Sequence, residues 1–464
     1  MKVSKKSDFH SKNCNSREEE LLAATNGRNL MNRFILFFKR QPAGRLITLG
    51  FAAAILFGTL LLLLPVSVRS DAEVSFIDAL FTSTSAVCVT GLIAIDTADH
   101  FTPFGQGVVA FLIQIGGLGV TSVGVGLILA VGKHIGIKGR LLAQEGLNVS
   151  GVKGIVRLVK SVLFMTLFFE LTGAVLSFLV FIQDYPLPKA IGTSIFHSIA
   201  AFNNSGFDIF GGLQNMIPYQ NNILLNLTTC GLIIFGGLGF LVILDILKHR
   251  SFKKLTLHSK VVITTSIILL AAGTLLLKAT EDISWLGAFF HSVSARTAGF
   301  STYPIGNFTN AGLFILIILM FIGASPGSTG GGIKTSTFFV LIQSVRSLVT
   351  KKNFEAFRRS IPADRINKAY VITLLSILVV CTATFLLCIL EPGLNFIQIL
   401  FEVVSAFGTV GLSTGITPDL IPLSKFVIIL VMFIGRLGAF TLFSMWVDRP
   451  APAARYVEES ITIG

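Results

Sequence analysis

Phe401-Glu-Val-Val-Ser-Ala-Phe-Gly-Thr-Val-Gly411 is a short apolar phrase that ends in a polar turn and a glycine, and it is one of four. The others are Phe81-Thr-Ser-Thr-Ser-Ala-Val-Cys-Val-Thr-Gly91, Phe196-His-Ser-Ile-Ala-Ala-Phe-Asn-Asn-Ser-Gly206 and Phe290-His-Ser-Val-Ser-Ala-Arg-Thr-Ala-Gly299. Each closing glycine is followed by Leu or Phe, and the third copy is one residue shorter. Internal repetition of this kind constrains the fold more than any local signal. Four equivalent turns in a very apolar chain predict four elements around one axis. An axis lined by four equivalent backbones suits the passage of an ion.

Composition sets the solvent. With 52% hydrophobic and 13% charged residues and a mean hydropathy of +0.78, the chain carries about half the charge of an average soluble domain, which places most of its mass in a bilayer. Runs at 46–65, 108–131, 162–182, 223–244, 261–277, 370–390 and 426–446 are long enough to span one. The stretch 311–340 is also apolar but broken in the middle; counting it gives eight transmembrane helices. Between successive pairs lie segments too short to cross, at 76–87, 191–202, 285–295 and 396–407. A helix of 12 residues, as at 76–87, covers about 18 Å of a hydrocarbon core about 30 Å thick. Irregular backbone at membrane depth is tolerated only where it is buried in protein or lines water. The turns after these half-helices are therefore expected to face water or ions; extracellular surface loops are the plainer alternative.

Charge placement predicts the orientation. Ten Lys/Arg lie in 1–45, six in 133–160, five in 248–260 and seven in 346–368, so these four segments hold 28 of the 37 basic residues. The stretch 67–106 has only Arg69, against Asp71, Glu73, Asp78, Asp96 and Asp99. The positive-inside rule puts the basic segments and the N-terminus in the cytoplasm and lets the half-helices enter from outside. The net charge of +13 then reflects topology and attraction to an anionic bilayer surface rather than nucleic-acid binding. No cleaved signal peptide is evident, and residues 1–32 are polar enough to be disordered or docked on a partner. Cys14, Cys88, Cys230, Cys381 and Cys388 show no metal-ligand spacing and imply no disulfide frame. Cys88, beside a turn, reads as a small packing residue or as a thiol accessible from the pore.

A second repeat follows the first. Ile115-Gly-Gly-Leu-Gly119, Phe235-Gly-Gly-Leu-Gly239, Ile322-Gly-Ala-Ser-Pro326 and Ile434-Gly-Arg-Leu-Gly438 lie in the next apolar run of each copy. Their spacings from the turn glycine are 25, 30, 24 and 24 residues, counted 91 to 116, 206 to 236, 299 to 323 and 411 to 435. Two signatures in the same order, four times, predict a fourfold helix–pore helix–helix unit. Close helix packing is the expected role of Gly116, Gly119, Gly236 and Gly239. The fold class is thus an all-α integral membrane protein with four pseudo-symmetric units around one ion pathway. The units run 43–132, 155–247, 259–345 and 369–447, after a polar segment 1–42 and before a tail 448–464; a loop at 324–335 interrupts the third.

The motifs Val89-Thr-Gly91, Asn203-Asn-Ser-Gly206, Arg296-Thr-Ala-Gly-Phe300, Gly408-Thr-Val-Gly411, Gly330-Gly-Gly-Ile-Lys-Thr335 and Ile434-Gly-Arg-Leu-Gly438 resemble those of the Trk/Ktr/HKT superfamily of potassium transporters. The Ktr-type bacterial membrane subunit is the nearest match, and the resemblance covers residues 42–464. It implies four filter strands around one potassium pathway in the plasma (inner) membrane of a bacterium, with sodium as a possible activator and no organic cofactor in this chain. It also implies a homodimer seated on a cytosolic ring of nucleotide-binding subunits whose ATP/ADP state opens the gate. The tail 448–464 and the loop 346–368 are candidate contacts with that ring or between protomers.

A potassium ion must exchange water for backbone carbonyl oxygens, and aiming successive carbonyls at an axis needs backbone angles that glycine reaches freely. The candidate filter residues are therefore Val89, Thr90 and Gly91; Asn204, Ser205 and Gly206; Thr297, Ala298 and Gly299; and Thr409, Val410 and Gly411. Only the glycine is common to all four copies, so looser selectivity is expected than from four identical loops. The C-terminal ends of the half-helices direct partial negative charge at the axis, which favours a cation. Asp96, Asp99 and Asp208 could draw cations to the mouth, although solvated loop charge is the expected role of each.

The candidate gate is the broken third unit, which the resemblance implies is a flexible plug below the filter; a simple helix break with no moving part is the plainer alternative. Gly327, Gly330, Gly331 and Gly332 with Pro326 preclude a continuous helix there. A phosphate-binding loop is excluded, because Ile333 separates Gly332 from Lys334 and no strand precedes the loop. Lys334 closes the loop, and Arg436, 12 residues after Ser424, lies roughly 18 Å into its helix. A charge at that depth usually faces a cavity or a partner, and the carbonyls of 327–332 suit the five donors of a guanidinium. Arg436 is thus expected to hold the loop across the pore, with its positive charge hindering cations in the closed state. Glu170, His197 and His291 are expected to bond or pack against neighbouring helices. No residue set has hydrolytic or zinc-site spacing, so an enzyme is disfavoured. A secondary transporter of another small solute, with discontinuous helices and a midplane site, is the stronger rival.

Overall fold

The structure is a computed structural model that describes residues 41–130, 136–146, 154–351 and 353–444. Most of the expected N-terminal segment, Cys14 and the tail 448–464 lie outside the described residues. The described residues from Ile47 onward form one compact unit. Its frame is a set of long apolar helices: Ala43–Leu62, Ile155–Phe181, Leu257–Thr280 and Ala363–Leu390. Large apolar side chains such as Phe57, Phe164, Ile267 and Leu374 stand exposed along them. Such surface suits lipid, where apolar exposure carries no cost.

Each long helix is followed by a short one and then by an inner helix. The short helices are Phe76–Cys88, Leu187–Phe202, Trp285–Ser294 and Phe396–Gly408; the inner helices are Pro103–Leu118, Ile223–Leu238, Asn310–Phe321 and Pro422–Leu437. Their starts are set by local chemistry. Ser75, Thr102, Asn222, Ser284 and Thr309 each accept a backbone N–H of the first turn, and Asn395 forms a reciprocal capping box with Gln398.

The eight expected spans take a different form in the inner helices. Among the described residues, four helices can cross a membrane by length and composition, or six if two bent pairs count as one span each. Pro103–Leu118 meets its continuation at 99° and Ile223–Leu238 meets Phe240–His249 at 94°. The bends fall at Gly119 and Gly239, whose φ values of 80° and 91° no helix accommodates. This corrects the expectation for those two glycines: they break helices, while Gly116 and Gly236 do pack closely. Gly438, φ 86°, separates Pro422–Leu437 from Ala439–Ser444 in the same way.

Packing closes the repeats into a cycle. The inner helix of each repeat packs on the short helix of the next: Pro103–Leu118 on Leu187–Phe202, Ile223–Leu238 on Trp285–Ser294, and Asn310–Phe321 on Phe396–Gly408. Pro422–Leu437 returns to Phe76–Cys88, where Lys425 Nζ lies 2.9 Å from Asp78 Oδ1. The basic stretch 346–368 contains a two-residue hairpin, Glu355–Ala356 against Arg359–Ser360.

Candidate functional site

The four turns meet at one place, in sequence order. A β-carbon on Gly91 would overlap the Ser205 carbonyl oxygen, and one on Gly206 would lie 2.7 Å from that of Ala298. A β-carbon on Gly299 would overlap the Val410 carbonyl, and one on Gly411 the Thr90 carbonyl, which closes the ring. The glycines therefore answer two demands: close approach, and φ values of 86°, 68°, 78° and 94°.

Positive φ also occurs two residues earlier, at Val89 (57°), Asn204 (59°), Thr297 (89°) and Thr409 (49°). Valine and threonine are β-branched, and such backbone costs on the order of 1–3 kcal/mol each. Surrounding bonds hold it in place. Thr90 N–H donates to Ser85 O (2.8 Å), Ser205 N–H to Ala200 O (2.9 Å), Ala298 N–H to Ser294 O (2.8 Å) and Val410 N–H to Ser405 O (2.9 Å). Ser85 and Ser405 hydroxyls also accept the N–H of Gly91 and Gly411, both at 3.0 Å, and Ser294 donates to Phe300 O at 2.5 Å. Among the described residues, no donor reaches the carbonyls of Val89, Thr90, Asn204, Ser205, Thr297, Ala298, Thr409 or Val410, all in fully buried residues. Buried carbonyls without partners are rare. Eight in one ring form a natural seat for a cation.

Two serine signals in the repeats complete the support, and both were legible. A Ser-Ala pair stands at Ser85, Ser294 and Ser405, with Ala200 in the second copy. Two residues after the opening Phe come Ser83, Ser198 and Ser292, which donate to Ile55 O, Glu170 O and Leu270 O of the long helices at 2.7, 2.6 and 2.9 Å. Gly58, Gly173 and Gly273 make room for those hydroxyls. The fourth copy has Val403 instead.

The interrupting segment lies against this ring. A β-carbon on Gly330 would overlap the Thr297 hydroxyl, and one on Gly331 the Thr409 hydroxyl. Ser325 N–H donates to Gly237 O (3.1 Å), Thr329 N–H to Gly236 O (3.3 Å), and Phe240 N–H to Gly327 O (3.0 Å). Lys334 Nζ donates to Gly330 O at 2.6 Å and to Gly331 O at 3.5 Å. Arg436 Nη1 donates to Thr329 O and Nη2 to Gly116 O. Its loop partner was expected; the second bond, to the first repeat's inner helix, had no sequence signal. On the far side of the loop, Lys334, Arg436, Lys368 and Glu145 help line a cavity of about 460 Å³.

On the other side, the acidic residues are less solvated than expected. Asp96 and Asp208 are buried, and only Asp99 is exposed. Asp96 accepts the N–H groups of Ala98, Asp99 and Leu213, while Asp208 accepts that of Phe210 at 3.1 Å. Burial pushes the Asp208 carboxyl up to about 7 against the pull of that N–H, and the nearby Asp96 and Asp99 add to the rise. Asn215 joins two turn exits, donating to Gly206 O (3.2 Å) and accepting Ser301 N–H (3.0 Å).

The remaining candidates lie outside the ring of carbonyls. Cys88 is a fully buried free thiol. Glu170 accepts from Asn203 Nδ2 (3.0 Å), which also donates to Gln114 (2.9 Å). His197 Nε2 pairs with Thr229 Oγ1 at 2.8 Å and sits edge-on to Phe300; His291 Nδ1 pairs with Gly287 O at 2.9 Å. No metal-binding cluster of His, Cys, Asp and Glu occurs among the described residues.

The TrkH family, described as cation transport protein, matches residues 52–456. The Ktr system potassium uptake protein B of Bacillus subtilis is 38% identical over 444 residues, covering 93% of this chain and 98% of that protein. The potassium/sodium uptake protein NtpJ of Enterococcus hirae is 39% identical over 446 residues, covering 92% and 98%. The crystal structure of the potassium transporter TrkH from Vibrio parahaemolyticus shares the fold, with a TM-score of 0.67 at 22% identity, covering 86% of this chain and 85% of that one. These relatives are membrane transporters rather than enzymes, and the chain belongs to the TrkH cation transport protein family.

Proposed function

We propose that this chain takes up potassium across the bacterial plasma membrane, through a carbonyl-lined filter closed from below by a loop. The observation that carries the proposal is the ring of eight buried carbonyls without protein donors, bounded by Gly91, Gly206, Gly299 and Gly411. Desolvating potassium requires such oxygens, already in place. Relatives whose names specify potassium or potassium/sodium uptake support the choice of ion. In this proposal the four repeats supply eight spanning segments, with the N-terminus cytoplasmic by the charge bias of the loops.

The segment containing Gly327, Gly330, Gly331 and Gly332 acts as the gate, and Lys334 and Arg436 hold it shut. Their cationic heads donate to its carbonyls, so the bonds that close the pore also place positive charge against an entering cation. Sodium as an activator, the homodimer and a nucleotide-binding ring on the cytosolic face belong to the same proposal and rest on the family likeness. A transporter that rocks one half against the other would have to break the closed glycine–carbonyl cycle at each turnover, which weighs against it.

Rubidium uptake into proteoliposomes, with and without sodium, is the test. Saturable rubidium uptake is expected. Accumulation of an organic solute without rubidium would overturn the proposal.

A further inference from the structure

In three repeats the short helix is tied to its long helix by Ser83, Ser198 or Ser292; in the fourth Val403 leaves that tie unmade. One residue earlier, the four copies place Thr82, His197, His291 and Glu402. Glu402 is fully buried, and no cation lies within ion-pair distance of it among the described residues. A carboxylate in such a place must be met by hydrogen bonds. They all come from the segment that leaves the fourth turn. Oε1 accepts from Ser413 Oγ (2.5 Å), Thr414 N–H (3.0 Å) and Thr414 Oγ1 (3.5 Å), and Oε2 accepts from Thr417 Oγ1 (3.0 Å). Ser413 Oγ in turn accepts Gly415 N–H at 2.8 Å.

We propose that Glu402 is a positioning residue for ion selectivity: its carboxylate holds the exit segment 413–417 and so fixes the fourth turn in the ring. The inference rests on the transport reading above. The fourth turn, like the third, lies against two other turns and the interrupting loop. Gly411 abuts Thr90 of the first turn, Val410 abuts Gly299 of the third, and Thr409 abuts Gly331 of the interrupting loop. A turn wedged against three neighbours transmits any slackness to both sides of the ring. A carboxyl group suits the task because its two oxygens gather four donors at once, from Ser413, Thr414 and Thr417.

The test measures rubidium uptake by full-length protein in proteoliposomes, and its inhibition by sodium, for wild type, Glu402→Ala, Glu402→Gln and the double variant Ser413→Ala/Thr417→Ala. Monodispersity and melting temperature report folding independently. Sodium inhibition is expected to strengthen about tenfold in Glu402→Ala, which removes all the hydrogen bonds between the carboxyl and the exit segment, part of that loss reaching the filter. Glu402→Gln, which keeps one acceptor oxygen, should fall between wild type and Glu402→Ala. Combining Glu402→Gln with the double variant should add little to either, because both break the same bonds. Folded Glu402→Gln and Ser413→Ala/Thr417→Ala proteins with wild-type sodium-to-rubidium discrimination would overturn the role, even if Glu402→Ala fails to fold. A loss of uptake rate at constant discrimination would also overturn it, leaving Glu402 purely structural. Wild-type vesicles that accumulate no rubidium would instead refute the transport reading itself.

Discussion

The inner helices of the second and third repeats start from the same plan and end differently. In the second, Gly236 lies against the last carbonyl of its short helix, at Phe202, and one further glycine, Gly239, bends the chain by 94°. Gly116 and Gly435 lie in the same way against Val87 and Phe407. In the third, the helix stops at Phe321, and Gly323 lies instead against Gly331 of its own interrupting loop. Three repeats thus have a glycine seated against the short helix. The third has exchanged that seat for a contact with its own interrupting loop. In the gating proposal, the moving part lies where one copy gives up a contact the others keep.

The comparison can be broken at the ring, and this is the largest effect expected. Gly411→Ala or Gly299→Ala would force a β-carbon into a neighbouring carbonyl at positive φ. Rubidium uptake should fall to vesicle background in otherwise folded protein; normal uptake would remove the ring from the ion pathway. Next comes the loop. Arg436→Ala deletes two bonds from a charged donor, to Thr329 and Gly116, and a net loss of about 2 kcal/mol would favour the released loop roughly 30-fold. Flux should rise in Arg436→Ala and in a 327–332 deletion, and unchanged flux in both would end the gating proposal.

A smaller effect is expected at the bend of the second repeat. Gly239→Ala places a β-carbon 2.8 Å from Pro326 O at φ 91°, at a cost of about 1 kcal/mol. It should lower the melting temperature while leaving ion discrimination unchanged. The last concerns Asp208, in the segment that leaves the second turn, and is read as stability rather than flux. Its carboxyl rises from 3.8 to about 7 on folding, so the folded state holds the proton more tightly than the unfolded one. The resulting stabilisation is full below the lower value and declines as the pH rises to the upper. Asp208→Asn should flatten that part of the stability profile, read as melting temperature between about pH 4 and pH 7.

Local signals carried much of the fold. The four glycines, the polar N-caps and the breaks around Pro326 act within a few residues, so their meaning survives without the rest of the chain. Gly119 and Gly239 were read as packing residues because a glycine that bends a helix and one that packs it look alike in an apolar run. Glu402 and the paired serines stand within the repeats, but their roles depend on partners in other segments, which the spacing of the repeats does not reveal.

The amino-acid sequence by itself determined that there are four turns, that each ends in glycine, and that one repeat is interrupted, because composition and periodicity are properties of neighbours along the chain. Only the tertiary structure decided that Val89, Asn204, Thr297 and Thr409 also adopt positive φ, and that each glycine faces the next turn's carbonyl. The same is true of Arg436, which reaches Gly116 across 320 positions. Positive φ at a β-branched residue runs against its own preference and persists only when the surrounding packing demands it.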